Sequence, residues 1–355
     1  MHRSREDART KMIRFLERRT KRVTIIEPNL TGHGFDQLTA IRDLLSESGI
    51  ASVHKRNLWP HVFTRSPVLF PSLDGFLLVF LIVAPVRALF WSRTVAIWHR
   101  PKSSTAGPGL KHYVKRCGVR LIKYVPLVAI ISVQRPELQR EIAGLVTDWI
   151  YQTVQWHNPL KVQQAPDDPS HFEETIRLHA GGRAILIYLG LIDRAKGFEF
   201  FVELLEEAVR SGDMFAFVAA GTIKHDSADV ARRFINAGGL LVDRYISDCE
   251  FLAGVELADW VWTCYRPDND QNSGIFGLAY QAGRRVIVRS GSFVARMAAD
   301  LEYPTIEVRY GDVKGAMHEI RASRMLKINK PKHEAVSMMK EQTRERLLHY
   351  LGYDP

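Results

Sequence analysis

The chain has few cysteines and no apolar leader segment, and both absences limit the class of protein. Only three of its 355 residues are cysteines, Cys117, Cys249 and Cys264, and their spacing fits neither a zinc site nor a disulfide framework. The first 22 residues are charged throughout and lack the apolar core of a secretion signal. We therefore expect a cytoplasmic protein.

A run of apolar residues long enough to cross a membrane is also missing. The segment 75–90 reads GFLLVFLIVAPVRALF, and Pro85 and Arg87 interrupt it. It is shorter than the about 20 apolar residues that a spanning helix needs. We interpret it as a buried element of an α/β core, with a surface segment that dips into a membrane as the alternative. Peripheral attachment to the inner face of a membrane therefore stays open.

Positive charge is concentrated in one half of the chain. Residues 1–160 carry 24 Lys/Arg against 11 Asp/Glu, whereas the remainder carries 25 against 28. This imbalance predicts an anionic partner for the first half, either nucleic acid, an anionic membrane surface or a phosphorylated acceptor. No signature of a nucleic-acid-binding module is present, which disfavours nucleic acid.

Length and hydrophobic pattern predict two α/β domains. We expect a basic arm over 1–20, an N-terminal domain over 21–162, a C-terminal domain over 163–333 and an amphipathic C-terminal helix over 334–355. The first domain begins with a βα unit, a strand over 23–27 and a helix over 35–48. Further strands are expected over 95–98, 127–133, 184–189, 215–220, 240–242, 260–264, 285–288 and 305–308. Strands that alternate with helices indicate parallel sheets, which bind ligands beyond the carboxyl ends of their strands.

Two segments of the second domain have the residues of a phosphate site. In YLGLIDRAKG, 188–197, a strand ends at Gly190, and Lys196 and Arg194 precede a helix. In CYRPDNDQNSGIFG, 264–277, Ser273 and Gly274 begin an apolar helix. Lysine, arginine and the free amides at a helix N-terminus all bind phosphate, and Ser273 is suited to cap its helix. The alternatives are solvated loop residues for the first segment and an ordinary helix cap for the second.

The order of motifs over about residues 183–300 resembles glycosyltransferase family 4, whose members are retaining enzymes with the GT-B fold. The matching elements are Gly190, Lys196-Gly197, Gly221, Ala258-Asp259-Trp260, Ser273-Gly274 and Gly283-Arg284-Arg285-Val286-Ile287. The resemblance implies two Rossmann-like domains whose parallel sheets face a cleft. It further implies that Lys196 contacts the donor diphosphate and that Asn272, Ser273, Gly274 and Ile275 hold phosphates and ribose, while Asp259 positions its strand.

The chain departs from the family pattern at two donor positions. The family often has an arginine directly after the first strand's glycine, where this chain has Leu191. It also commonly has two glutamates around the Ser-Gly helix, and the matching positions here are Asp270 and Leu278. Asp270 therefore joins the expected donor-binding residues, and Arg194 is the candidate substitute for the missing arginine.

The N-terminal half offers candidates for the reacting centre. Gly32, His33 and Gly34 resemble the family's glycine-bearing loop near the donor phosphates, and His99 follows an apolar strand, as does a family histidine near the transferred sugar. Imidazole can hydrogen-bond a sugar hydroxyl or stabilise charge, although a histidine at a strand end is often structural. A third glycine at the helix start is lacking, which disfavours an NAD-dependent enzyme.

These observations predict a glycosyltransferase that moves a sugar from a nucleotide-diphosphate donor to a hydroxyl of a glycan or lipid-linked acceptor, with retention and without a metal or cofactor. His99 and His33 are the expected catalytic residues. The expected partners are the nucleotide-sugar donor, the acceptor and an anionic membrane surface. A nucleotide-sugar epimerase of the same fold and a catalytically silent nucleotide-sugar or membrane-binding protein are the alternatives.

Overall fold

The computed structural model describes residues 22–27, 33–105, 107, 109–157 and 168–353. Contacts between Cα atoms divide the chain into two compact units. The N-terminal unit extends to Thr153 and includes the chain from Met338 onward, and the C-terminal unit is Val154–Ser337. The predicted arm, 1–20, and the predicted domain boundary between 162 and 163 lie outside the described residues.

The N-terminal unit contains a parallel sheet of six strands in its described part. The strands are β1 Arg22–Ile26, β2 Ala51–Lys55, β3 Val68–Phe70, β4 Thr94–Trp98, β5 Val128–Ser132 and β6 Asp148–Trp149. They are ordered β2-β1-β3-β4-β5-β6. The helices that follow these strands in the first part of the chain are α1 His33–Glu47, α2 Leu77–Leu89, α3 Pro101–Thr105 and α4 Leu110–Ile122. All residues of β4 and β5 are buried, as expected for central strands covered on both faces.

In the residues that the structure describes, the C-terminal unit contains a second parallel sheet of six strands. The strands are β7 Ala184–Leu189, β8 Phe215–Ala220, β9 Leu240–Val242, β10 Trp260–Trp262, β11 Arg285–Arg289 and β12 Ile306–Val308. They are ordered β12-β11-β10-β7-β8-β9, so the strand order reverses between β7 and β10. The helices are α5 Ser170–Ala180, α6 Phe198–Ser211, α7 Ala228–Asn236, α8 Asp248–Leu257, α9 Gly274–Ala282, α10 Phe293–Asp300 and α11 Val313–Ala322.

Aromatic side chains fill the core of the C-terminal unit. Phe201 of α6 packs against Phe217 of β8 and Trp262 of β10, with ring centroids 5.3 Å apart in both pairs. Such edge-to-face pairs add to the stabilisation that comes from burying large apolar surfaces. These contacts hold helix α6 against the central strands, and they thereby fix the positions of the loops at the ends of those strands.

The last helix, α12 His333–Leu351, joins the N-terminal unit by its C-terminal portion. The guanidinium of Arg346 lies 4.2 Å from the ring centroid of Trp149 and donates to the Trp149 carbonyl at 2.7 Å. Arg93 donates to the carbonyls of His349 and Tyr350 at 3.3 Å. The end of the chain thus packs with strands that lie far from it in sequence.

The predicted fold class is confirmed: both sheets are parallel, and helices lie between most of their consecutive strands. Three strands of the first sheet, β2, β3 and β6, were not predicted. Helix α1 begins at His33 rather than at residue 35, so His33 and Gly34 belong to its first turn instead of to the preceding loop.

The apolar segment 75–90 contains α2, Leu77–Leu89, and its interpretation as a buried core element holds for one face of this helix, whereas the membrane alternative stays a prediction. One face is buried in the core through Leu77, Phe80 and Val83, whereas Leu78 and Ile82 on the other face are exposed. In the described part of the chain, every helix is too short or too polar to cross a membrane.

Candidate functional site

The two predicted phosphate segments lie on neighbouring strands where the strand order of the second sheet reverses. Strands β8 and β9 follow on one side of β7, and β11 and β12 follow on the other side of β10. The loops that leave β7 and β10 therefore begin at the point of reversal, which is where open parallel sheets bind ligands. The first loop carries Lys196-Gly197 and the second carries Asn272-Ser273-Gly274.

The loop after β7 is held in shape by a buried tyrosine. The Tyr188 hydroxyl donates to the carbonyl of Leu191 at 2.9 Å and accepts from the amide of Asp193 at 3.2 Å. The Asp193 carboxylate then accepts from the amide of Ala195 at 2.9 Å and caps the short 3-10 turn Arg194–Lys196. Burial raises the pKa of Tyr188 well above its ordinary value, so the hydroxyl remains a donor. The sequence does not reveal this role, because Tyr188 resembles any other residue of a buried strand.

Gly197 brings the β7 loop into direct contact with the β10 loop. A Cβ at Gly197 would lie 2.1 Å from the carbonyl oxygen of Cys264, and the residue has a φ of +77°, so only glycine fits. Asn269 of the β10 loop donates from Nδ2 to the carbonyl of Ala195 at 3.1 Å, and the amide of Arg266 donates to the same carbonyl at 3.2 Å. The two segments thus form one connected structure.

Lys196 directs its amine toward the end of strand β7. Its Nζ lies 3.8 Å from the position of a Cβ on Gly190, the residue that follows the strand, and its carbonyl accepts from the indole of Trp262 at 3.3 Å. The side chain is partly exposed. A compact ammonium group at this edge of the sheet can neutralise a phosphate.

Arg194, the expected substitute for a missing arginine, is engaged in ion pairs. Its guanidinium donates to Glu199 at 2.7 Å, to Asp229 at 2.5 Å and to the carbonyl of Asp226 at 2.9 Å. These contacts raise the Arg194 pKa, the hydrogen bond to Glu199 being the largest cause. The structure therefore assigns Arg194 a part in fastening α6 and α7 to the loop after β7.

The N-terminus of α9 has the geometry of an anion seat. The Ser273 hydroxyl accepts from the amide of Phe276 at 3.3 Å and lies 2.9 Å from the hydroxyl of Tyr265, while the Asn272 side chain accepts from the Ser273 amide at 2.8 Å. Ser273 is the N-cap, as its sequence position predicts. The amides of Gly274 and Ile275 begin the helix and have no acceptor within it, so they and the helix dipole favour an anion.

Asp270, expected among the donor ligands, makes several contacts at the start of α10. One carboxylate oxygen accepts from Arg289 at 2.7 Å and from the amide of Phe293 at 2.8 Å, and the other lies 3.5 Å from Arg296. The sequence around Asp270 gives no sign of these partners, because Arg289 and Arg296 follow in later elements.

Gly190 and Gly221 have a structural reason to be glycine. A Cβ at Gly221 would lie 2.0 Å from the carbonyl oxygen of Gly190, and the two residues have φ values of +143° and +88°. The ends of β7 and β8 therefore approach each other at two glycines, with no side chain between their backbones. Leu191 is exposed and Leu278 is half-buried, so neither supplies a polar group at the expected positions.

Cys264 lies inside this site but is not suited to act as a nucleophile. It is buried, and burial raises the pKa of its thiol far above the ordinary value. Within the described ranges, His, Cys, Asp and Glu side chains form no group of three or more that is placed to hold a metal ion.

In the N-terminal unit, His99 follows β4 and contacts residues from two other elements. Its Nε2 lies 3.0 Å from the carbonyl oxygen of Pro71 and contacts the side-chain amide of Gln37 in α1. Nearby, Gln134 after β5 is fully buried, and neither atom of its amide has a partner among the described residues. The side chain of His33 and all of Gly32 lie outside the described residues, whereas Gly34 lies in the first turn of α1.

Burial lowers the pKa of His99, and nearby Asp74 partly opposes this effect. The unfolded chain, whose histidines titrate near about 6.5, therefore binds more protons than the folded chain below that pH. We expect the free energy of unfolding to fall as the pH drops from 7 to 5.5, and the dependence to be weaker in His99→Gln. Urea denaturation at both pH values measures this, and an unchanged pH dependence in the variant would contradict it. Burial also lowers the pKa of His61 and His179, so some dependence remains.

Comparison with known proteins gives a consistent fold. No protein-family model and no curated protein sequence matches the chain. Among solved structures, HepE from Anabaena in complex with UDP has 11% identity and a TM-score of 0.64, over 93% of this chain and 99% of that chain. The UDP-forming trehalose-phosphate synthase from Burkholderia xenovorans with glucose-6-phosphate has 10% identity and a TM-score of 0.57, over 90% and 78%. The N-terminal domain of trehalose-6-phosphate phosphatase from Candida albicans has 12% identity and a TM-score of 0.58, over 94% of both chains. The chain shares the GT-B fold with these structures.

Proposed function

We propose that this protein is a glycosyltransferase that uses a nucleoside-diphosphate sugar as donor. The observation that carries the proposal is the joining of the two loops at the strand-order reversal of the second sheet. There the Lys196 amine lies near the end of β7, and the β10 loop leads into the Ser273-capped start of α9. A positive side chain and a helix N-terminus together form a seat for a diphosphate.

This site would act on the leaving group. When the bond between the sugar's anomeric carbon and the diphosphate breaks, negative charge builds on the diphosphate oxygens. Lys196 and the amides of Gly274 and Ile275 stabilise that charge, so the reaction needs neither a metal nor another cofactor. Asn272 and Ser273 complete the turn around the phosphates and ribose.

The finer assignments extend the same proposal. The transfer proceeds with retention, and the acceptor is a hydroxyl of a glycan or of a lipid-linked precursor, recognised by the basic N-terminal half. His99 and His33 orient the sugar and the acceptor. Because Pro71 and Gln37 already contact Nε2 of His99, a hydrogen bond to substrate would use Nδ1. The lowered pKa keeps this imidazole neutral at pH 7.

A panel of nucleoside diphosphates tests the donor site directly. We expect at least one of UDP, GDP, ADP and CDP to raise the melting temperature of the purified protein, because a ligand that binds only the folded state stabilises it. Failure of all four at millimolar concentration would overturn the proposal.

Mass spectrometry with the matching nucleotide sugars then separates the candidate activities. Slow release of nucleoside diphosphate without an acceptor, and faster release with one, is expected for a transferase. An altered sugar still attached to the nucleotide identifies an epimerase. Binding without any turnover identifies a catalytically silent binding protein. This alternative is considered because the exposed Leu191 and the half-buried Leu278 supply no polar group at two expected donor positions.

A further inference from the structure

Helix α2 has its only charged side chain on the inside. Arg87 is fully buried and donates from Nε to the hydroxyl of Thr94 at 3.0 Å and from Nη2 to the carbonyl of Ser66 at 2.7 Å. It also donates to the carbonyl of His61. An amphipathic helix on a protein surface normally turns its charged residues toward water. In α2 this arrangement is inverted, so no charge remains on its outer face.

The outer face of α2 and the turn after it are apolar. Ile82 is 67% exposed and Trp91 is 86% exposed. Leu78, Leu89 and Phe90 are exposed as well, and Phe90 packs edge-to-face on the exposed Phe63 at 5.3 Å between ring centroids. Single exposed apolar residues are common, but a contiguous group of this kind marks an interaction surface.

Helix α4 continues this surface. Its exposed apolar residues recur at helical spacing on one face, opposite the buried Val119 and Ile122. They are Leu110, Tyr113, Val114, Leu121 and, just after the helix, Tyr124. The two helices pack side by side, since a Cβ at Gly118 would lie 2.9 Å from Cδ1 of Leu81. We call the outer faces of α2 and α4, with Phe63, Phe90, Trp91 and Tyr124, the α2–α4 surface.

Charge around the α2–α4 surface has one sign. The sequence contains no Asp or Glu between Asp74 and Glu137. Helix α4 and the residue that follows it carry Lys115, Arg116, Arg120 and Lys123. Lys115 and Arg116 donate to the backbone carbonyls of Ser104 and Thr105, at 3.4 and 3.0 Å, and Lys123 lies 5.1 Å from the ring of Tyr124. Their positive charge is thus not neutralised by carboxylates of the same segment.

We propose that the α2–α4 surface docks on an anionic membrane, with both helices lying in the plane of the interface. Apolar and aromatic side chains beside lysines and arginines match the two layers of such a membrane, acyl chains below and anionic headgroups above. Trp91, Tyr113 and Tyr124 carry the rings that prefer the headgroup level. The 13 residues of α2 extend over about 20 Å, which is too short to cross a hydrocarbon core of about 30 Å. This inference goes beyond the proposed donor site and does not depend on it.

Flotation of the full chain with vesicles tests the proposal. Vesicles of 70% phosphatidylcholine and 30% phosphatidylglycerol are expected to carry the protein at low salt, and vesicles of phosphatidylcholine alone to carry much less. Leu121→Glu and Ile82→Asp should each weaken binding at least tenfold, because each places a carboxylate in the apolar layer. The double variant Lys115→Gln with Arg120→Gln should weaken binding and reduce its sensitivity to salt.

Leu178→Glu provides a matched control. Leu178 lies on helix α5 of the other unit and is 74% exposed, against 72% for Leu121, and its replacement should leave flotation unchanged. The proposal would be overturned if the wild-type protein does not float with anionic vesicles. An equal loss of vesicle binding in Leu121→Glu and Leu178→Glu would also overturn it. So would light scattering that shows a dimer in wild-type protein and a monomer in Leu121→Glu, if neither protein binds vesicles. Nucleotide-dependent melting should be unaffected in every variant, so a failure here is distinct from a failure of the donor site.

Discussion

Replacement of Lys196 by alanine is expected to lower kcat/KM for nucleotide-sugar turnover about 100- to 1,000-fold, the usual cost of removing one group that stabilises charge in the transition state. The Nζ of Lys196 lies near the end of β7, at 3.8 Å from a Cβ placed on Gly190. The charge on the leaving diphosphate grows as the reaction proceeds. The loss should therefore fall more on kcat than on KM, since the lysine binds the transition state more strongly than the ground state.

Lys327→Ala is the matched control for this experiment. Lys327 is an exposed lysine of the same unit, and the carbonyl of its neighbour Leu326 accepts from Arg285 at the start of β11, at the sheet edge opposite the carboxyl ends of β7 and β10. Its loss should leave turnover within a factor of about two of wild type, because an exposed charge far from the site contributes little. Melting curves without nucleotide should coincide for both variants and the wild type. Unchanged turnover in Lys196→Ala would remove this lysine from the mechanism.

Replacement of Gly197 by alanine is expected to destabilise the C-terminal unit by roughly 3 kcal/mol or more. Two costs combine, a left-handed backbone conformation at φ +77° and a Cβ that would lie 2.1 Å from the carbonyl oxygen of Cys264. The first costs about 1–2 kcal/mol. The second forces the β7 and β10 loops apart, which is typical of overpacking that costs about 1–3 kcal/mol.

Gly212→Ala separates these two costs. Gly212 ends helix α6 with a φ of +68°, and a Cβ there would meet no atom within 4 Å. This variant should lose only the about 1–2 kcal/mol of the left-handed conformation. Urea denaturation gives both free energies of unfolding. Equal losses of unfolding free energy in the two variants would mean that the close contact with Cys264 relaxes at no cost, which would contradict the prediction.

The sequence predicts the second sheet better than the first. In the C-terminal unit the expected strands over 184–189, 215–220 and 240–242 have the observed bounds. Each consists of apolar residues, and β7 and β8 are central parallel strands, which helices cover on both faces. That composition differs clearly from the amphipathic helices between the strands, so local pattern is sufficient.

The strands that were missed lack this contrast. Strand β2 is an edge strand whose residues are all partly or fully exposed. Its sequence, ASVHK, contains no apolar run. Strand β3 has only three residues, between Pro67 and Pro71, and its neighbours β1 and β4 supply its partners. Such strands form because a sheet already presents unpaired backbone groups, which is a property of the assembled unit.

The residue roles in the candidate site divide in the same way. The cap at Ser273 depends on neighbours within a few residues, so its sequence position predicts it. Arg194 and Asp270 are bound by residues of other elements, Asp229 and Arg289 among them. In sequence, a charged loop residue that binds a ligand cannot be distinguished from one that forms an ion pair with a residue 35 positions away, as Arg194 does with Asp229.

The sequence by itself determined that Lys196-Gly197 and Asn272-Ser273-Gly274 each follow a parallel strand, because chain order and hydrophobic pattern are local properties. Only the tertiary structure decided that the two segments touch, through the bare backbone of Gly197 against Cys264 and the amide of Asn269 on Ala195. It also decided that Arg87 turns inward and leaves the outer face of α2 apolar. Strand order and side-chain direction depend on which surfaces are buried together, and those surfaces come from distant parts of the chain.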